Sequence, residues 1–141
     1  MSIHLQRDLD GIRKGLLGLA GLVETAIYNS IRSLVERDAE LARKVVDGDA
    51  AIDAEENHID EECLKVLALH QPVAVDLRLI ASAMMIVVDL ERMGDLAEEI
   101  AERTIHLATR PPLAIPDEIV SMTDLSISMV RQSLEAFIGV D

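Results

Sequence analysis

The chain has few of the residues that build disulfides, β-sheets and aromatic sites. Among its 141 residues there is one cysteine, no tryptophan, one tyrosine and one phenylalanine. A single cysteine, Cys63, excludes an internal disulfide and fits a reducing compartment. The scarcity of aromatic residues, with no clear strand-type alternation, disfavours a β-sheet fold.

Positive charge is also scarce. The chain carries 13 lysines and arginines against 26 aspartates and glutamates, so its formal net charge is −13, and its isoelectric point is near 4.6. Contact with phosphate backbones needs basic residues that displace counterions, so this balance argues against binding nucleic acid. It equally disfavours direct docking on anionic lipid.

No apolar run is long enough to cross a bilayer. The longest, from Leu79 to Val88 and interrupted by Ser82, falls well short of the roughly 20 residues that a span requires. The opening MSIHLQRDLDG lacks the apolar stretch of a secretory signal. We therefore expect a cytoplasmic protein that reaches a membrane only through another protein.

What remains is typical of an all-α protein with one core. Half of the residues are hydrophobic, and they recur in steps of three and four, which predicts helices. We expect helices over 3–37, 39–70, about 72–109 and 117–137. Asp38 is the expected N-cap of the second helix, and Pro72 is expected in the first turn of the third.

Three features of these helices carry expectations about packing. Gly11, Gly15 and Gly18 lie along one line of the first helix, which predicts close approach of another backbone, because each glycine costs about 1 kcal/mol relative to alanine. The first half of the third helix, LRLIASAMMIVVDL, is apolar on almost every side and is expected to be the most enclosed segment. The fourth helix has an apolar stripe that must be buried, so we expect a homodimer or larger oligomer; the stripe comprises Ile119, Met122, Leu125, Met129, Leu134 and Ile138.

Two predicted helices carry the same acidic pattern, with carboxylates at offsets 0, +4, +7 and +11. Such a set falls within roughly 60° of arc and forms one ridge along a helix. Like charges one turn apart repel by about 0.2–0.5 kcal/mol per pair, so bound cations or a cationic partner would relieve the ridges. The ridges are Asp49, Asp53, Glu56 and Asp60 on the second helix, and Glu91, Asp95, Glu98 and Glu102 on the third.

Three motifs stand in order on the second and third helices: IDAEENHID at 52–60, LALHQPVAVDLRLI at 67–80 and DLERMGDLAEEIAER at 89–103. Together they resemble the PhoU proteins that regulate phosphate uptake. The resemblance implies an antiparallel three-helix bundle over residues 1–110. Residues 111–141 would form a short proline-containing connection and a fourth helix, similar to the opening of a second repeat that typical members contain in full.

The resemblance also implies function. PhoU proteins are cytoplasmic regulators, not enzymes, and lower phosphate import by contacting the ATPase subunit of the phosphate transporter and its sensor histidine kinase. Their acidic motif, written E(D)xxxD, binds metal on the bundle surface, with iron or zinc in some relatives. Three copies fit this spacing here: Glu91 with Asp95, Glu56 with Asp60, and Asp49 with Asp53.

Other interpretations of the same residues stay open. Glu55 and His58 form an E-x-x-H pair, the spacing used by ferritin-like di-iron oxidases and storage proteins, although such sites need a second copy. The chain could equally be a metal-free dimerisation bundle, with Arg78 and Arg92 neutralising part of the acidic charge through ion pairs.

Overall fold

A computed structural model describes residues 2–139 of the chain. It contains four α-helices: α1 (Ile3–Glu36), α2 (Ala39–His70), α3 (Ala74–Leu107) and α4 (Asp117–Ile138). Within the described residues there is no strand, and no helix is apolar enough over a sufficient length to cross a membrane. The all-α prediction, with three bundle helices and an additional C-terminal helix, is confirmed.

Local sequence signals set the helix ends. Ser2 and Asp38 cap the N-termini of α1 and α2, each accepting a hydrogen bond from the backbone N–H three residues later; each satisfies a donor that the first turn leaves free. The third helix begins two residues later than expected, because Gln71 ends α2 in the left-handed conformation and Val73 is extended. Pro72 therefore lies in the turn, not in the first turn of α3.

The helices α1, α2 and α3 form the bundle, joined by short turns that make successive helices antiparallel. Each of these three packs on the other two, and α1 also packs on α4. The apolar positions predicted for α1 and α2 largely face inward, as spacing in threes and fours requires. The most deeply buried large side chains from α1 to α3 include Leu9, Ile12, Leu16, Leu19, Val23, Ile59, Val66, Ile80 and Val87.

One packing expectation is wrong. The first half of α3 is not the most enclosed segment, because Met85 is 69% exposed and Val88 is 46% exposed. The central helix is α1, which alone contacts the other three helices. On α4, Leu134 of the predicted stripe is buried within the bundle, whereas Met122, Leu125 and Met129 are exposed; burial of the stripe in an oligomer stays a prediction.

Arg37 connects the two turns at one end of the bundle. It ends α1 in the left-handed conformation, and its guanidinium donates hydrogen bonds to the backbone carbonyls of Leu107, Ala108 and Arg110. The last carbonyls of a helix have no partner within the helix, so this side chain satisfies acceptors at the end of α3. The contact fixes where the connection to α4 departs from the bundle.

Only one of the three aligned glycines meets another helix. A Cβ atom at Gly15 would lie 3.1 Å from Cγ1 of Ile59 on α2, whereas Gly11 and Gly18 have open space there. The predicted close approach is therefore local to Gly15. At Gly18 the structure offers no packing reason for glycine.

We expect alanine substitution to separate these two positions. Gly18→Ala should raise the free energy of unfolding by about 1 kcal/mol, because alanine is the better helix former and its methyl group meets nothing. Gly15→Ala should gain less or lose stability, because Ile59 is buried in the core and must shift to admit the methyl group. Urea unfolding of both variants measures the difference; equal gains would contradict the packing described.

Candidate metal centre

The two acidic ridges face each other across α2 and α3. Asp49 and Asp53 from α2 and Asp95 from α3 each place a carboxylate oxygen so that the three oxygens lie within 4.8 Å of one another. The helices pack together here through Gly94 and Ile52: a Cβ atom at Gly94 would lie in ordinary van der Waals contact, 3.5 Å from Cγ2 of the buried Ile52. Core packing beneath the surface thus brings the carboxylates together.

Glu56 lies beneath this group. Its side chain is 94% removed from solvent, since only 6% of the residue is exposed, and its Oε1 atom has no hydrogen-bond partner. Burial is the main cause that raises the pKa of Glu56 to about 7, followed by the negative charges of Glu91, Asp53, Asp95 and Asp49. A buried acceptor without a partner is costly, so this oxygen is available to a cation or proton.

Glu98 extends the group along α3. A hydrogen bond with Asp49 is the main cause that raises the pKa of Glu98 to about 7, followed by burial and by the charges of Asp49, Glu102 and Asp95. Two carboxyl groups can share a hydrogen bond only if one of them keeps its proton. The pair therefore holds a proton in the range where isolated carboxylates have lost theirs.

No arginine or lysine neutralises the group within residues 2–139. The ion pairs formed there lie elsewhere: Arg13 with Asp10, Arg32 with Glu36, His70 with Asp8, Arg103 with Glu99, and Arg131 with Glu24. Neither Arg78 nor Arg92 forms an ion pair with another residue of the described range, so the alternative in which these arginines neutralise the ridges gains no support. The carboxylates lie together without a protein cation.

The predicted site residues divide into two sets. Asp49, Asp53, Glu56 and Asp95 lie together, with Glu91 near enough to raise the pKa of Glu56. Asp60 is apart from them: burial alone raises its pKa, with no contribution from the other carboxylates. Glu98 belongs to the predicted ridge on the third helix but is not among the predicted metal ligands. Its contact with Asp49 depends on how α2 and α3 pack together, which the sequence pattern does not show.

The donor atoms of the group are all carboxylate oxygens. Such sets suit hard cations, which prefer oxygen ligands, more than soft ones. Neither histidine nor cysteine belongs to the close group in the described part of the chain; His58 is exposed, and Cys63 is buried in the core. The site therefore lacks the histidine that a ferritin-like E-x-x-H centre would supply.

The fold and this group of residues define a class of protein: an acidic helical bundle with a carboxylate cluster between two antiparallel helices. A model of the PhoU domain matches residues 16–104 of the sequence, which is more than half of it. The chain belongs to the PhoU family.

Individual relatives agree with this assignment. The phosphate-specific transport system accessory protein PhoU homolog of Aquifex aeolicus (strain VF5) is 42% identical over 139 residues, covering 99% of this chain and 63% of that protein. The accessory protein PhoU of Escherichia coli (strain K12) is 30% identical, covering 100% of this chain and 58% of that protein. The chain thus spans about three fifths of the length of these curated relatives.

A solved structure shows the same fold. The crystal structure of PhoU from Pseudomonas aeruginosa superposes with a TM-score of 0.88 at 37% identity, covering 94% of this chain and 64% of that chain. The family resemblance deduced from the three motifs is therefore confirmed.

The raised pKa values of the cluster predict how stability depends on pH. Between about pH 4.5 and 7 the folded chain binds protons at Glu56 and Glu98 that the unfolded chain has released. Without metal, stability should therefore fall as pH rises through this window, by on the order of 1–3 kcal/mol for the buried Glu56. Urea unfolding between pH 5 and 8 in a chelator measures the fall.

Glu56→Gln should reduce the slope of this profile, because glutamine stays neutral throughout the window and only the contribution of Glu98 remains. Glu61→Gln is the matched control on an exposed face of α2, and it should leave the profile as in the unsubstituted chain. A profile that keeps its full slope in Glu56→Gln would contradict the assignment of the raised pKa to this residue.

Proposed function

We propose that this chain is a regulatory module of phosphate transport and of phosphate-responsive signalling, acting as a non-catalytic, metal-binding helical bundle. The observation that carries the proposal is the carboxylate cluster of Asp49, Asp53 and Asp95, in a chain whose relatives are accessory proteins of a phosphate transport system. Membership of the PhoU family supports the regulatory role, and the carboxylate cluster supports metal binding.

The metal ligands would come from both helices. Asp49, Asp53 and Asp95 offer the three closest oxygens, and Glu56 and Glu91 lie next to them. We place Asp60 outside this set, because the charges of the other carboxylates do not contribute to its raised pKa. A bound divalent or trivalent ion, such as iron or zinc, would reduce the repulsion among the carboxylates and join α2 to α3.

The charge of the chain bears on its partners. With a net charge of −13, the bundle is suited to a protein that presents basic residues, and poorly suited to nucleic acid or to an anionic membrane. We propose that it contacts the ATPase subunit of the phosphate transporter, its sensor histidine kinase, or both, and so reaches the membrane from the cytoplasm through protein. Regulation then depends on surfaces, and no catalytic group is required.

Metal binding should depend on the close carboxylates and not on Asp60. We expect Asp53→Asn and Asp95→Asn each to weaken iron binding by about tenfold or more, since each removes a charged ligand, whereas Asp60→Asn should bind as the unsubstituted chain does. At an ion concentration of about 100 Kd, the bound form should be more stable by about 2.7 kcal/mol.

Isothermal titration and elemental analysis of the purified chain and its three variants measure these differences. A melting temperature that is unaffected by metal and by chelator, with no metal retained, would support the metal-free bundle. Loss of binding in Asp60→Asn alone would place the site elsewhere on α2.

Partner binding should be electrostatic and specific. The immobilised chain should bind the purified transporter ATPase subunit or the cytoplasmic part of the sensor kinase, and binding should weaken as salt rises from about 0.05 M to about 0.5 M, because screening shortens the range of the attraction. An unrelated helical protein of similar negative charge is the control. Failure to bind both partners at low salt would contradict the proposed regulatory contacts.

A further inference from the structure

One ion pair joins the first two helices at the end of the bundle where α1 begins and α2 ends. Nε2 of His70, the last residue of α2, lies 3.0 Å from Oδ2 of Asp8 on α1. The two side chains are only 18% and 27% exposed. Among the described residues, the other ion pairs lie within one helix or join α4 to α1. The contact between His70 and Asp8 is thus the only ion pair there that links two helices of the three-helix bundle.

The turn that follows His70 has a strained backbone. Gln71 and Ala74 have φ angles of 44° and 52°, in the left-handed region that disfavours residues with a Cβ atom. Between them Pro72 is buried and Val73 is exposed. Strained conformations of this kind persist only where the surrounding contacts hold them. The side chain of His70, directly before the turn, supplies such a contact, because it ties the end of α2 to α1.

The same end of the bundle carries exposed apolar side chains. Leu69, Val73 and Val75 are exposed around the turn, and Ile3 is exposed where α1 begins. His70 follows Glu56 by about 21 Å along α2, so this surface is separate from the carboxylate cluster. The conformation of the turn therefore determines how this end of the bundle presents its apolar surface.

We propose that Asp8 and His70 form a pH-sensitive clasp, which holds the turn at residues 71–74 firmly when His70 is protonated and less firmly when His70 is neutral. Imidazole is the side chain that ordinarily changes charge between pH 5 and 8. In the protonated state two opposite charges face each other between α1 and α2, whereas in the neutral state only a hydrogen bond to the Asp8 carboxylate remains. The proton therefore adjusts the strength of the contact without removing it.

Asp8 keeps its charge throughout this pH range. The hydrogen bond from His70 is the main cause that lowers the pKa of Asp8; burial opposes this effect, and the charges of His70, Arg7 and Lys65 add to it. A lowered carboxylate pKa contributes stability that is complete well above the ordinary value of 3.8 and is lost only as pH falls through the folded value. Asp8 therefore contributes equally across the range in which imidazole titrates, and a change in the clasp there comes from His70.

Charged groups of all three helices modify the clasp. Arg7 on α1 and Lys65 on α2 repel a protonated imidazole at position 70, whereas the negative end of the α2 dipole favours positive charge at the last residue of that helix. On α3, Asp76 and Arg78 follow the turn with opposite charges. The contact with Asp8 is stronger when the imidazole is charged, so its full strength is present at low pH and is lost as pH rises through the titration of the imidazole.

Amide hydrogen exchange at the end of α2 tests the clasp in the metal-free chain. The amide of Gln71 donates to the carbonyl of Leu67 at 3.3 Å, so its protection reports how firmly the last turn of α2 is held. After correction for the intrinsic exchange rate, protection should be about two- to fivefold greater at about pH 5.5 than at about pH 8, as expected for a partly exposed ion pair. A chelator keeps the carboxylate cluster free of metal, so the result does not depend on metal binding or on the proposed regulatory contacts.

Matched histidine variants identify the side chain responsible. His70→Gln keeps a polar side chain that cannot be protonated, and it should remove this difference between the two pH values. His4→Gln and His58→Gln change exposed histidines of α1 and α2, and they should keep the difference. The pH response of the carboxylate cluster is common to all these chains, so the comparison between variants isolates the clasp. An equal response in His70→Gln and the unsubstituted chain would overturn the proposal.

A double-mutant cycle of Asp8→Asn and His70→Gln measures the pair itself. The coupling between the two positions should reach about two- to fivefold in protection at about pH 5.5 and should be smaller at about pH 8. Equal coupling at both pH values would indicate a fixed hydrogen bond and overturn the pH sensitivity, and no coupling at either value would overturn the clasp altogether. Each substitution nearly preserves the shape of a partly exposed side chain, so the variants should fold; equal helicity by circular dichroism verifies this.

Discussion

Close contact between α2 and α3 imposes the main electrostatic feature of the molecule. Gly94 of α3 packs beside Ile52 of α2, and the neighbouring residues Asp53 and Asp95 bring their carboxylates together. Like charges at such distances repel by on the order of 1–3 kcal/mol per pair at the effective dielectric of a protein surface. Burying one isoleucine contributes a similar amount. Core packing therefore holds together a charge arrangement that would separate on its own, and protons or cations lower its energy.

The same constraint explains why the carboxylates are not equivalent. The carboxylates nearest to the contact between α2 and α3 repel one another, and four of them raise the pKa of the buried Glu56. Asp60 lies one turn further along α2, and none of these charges contributes to its raised pKa. A ridge that looks uniform in sequence is thus divided by the place where two helices meet, which only the packed structure defines.

Sequence periodicity predicted the helices and most of the core, because the spacing of apolar residues on α1 and α2 is unambiguous. It also placed the acidic residues on two ridges. It failed where several faces of one helix are apolar: on α3 and α4 the pattern cannot tell which apolar side meets the bundle. Thr123 is buried while Leu125 is exposed, and the reason is the position of α4 across α1. The link between Asp49 and Glu98 was equally hidden, since it joins different helices.

The distribution of charge separates two kinds of surface on one small chain. The cluster on α2 and α3 concentrates negative charge without a protein cation, so it attracts ions and basic groups and repels a second copy. The exposed face of α4 has almost no charge, so it attracts neither ions nor basic groups and gains only by leaving water. The two surfaces therefore respond to different forces: salt and chelators act on the charged cluster, whereas any contact at the exposed face of α4 depends on the apolar area that it removes from water.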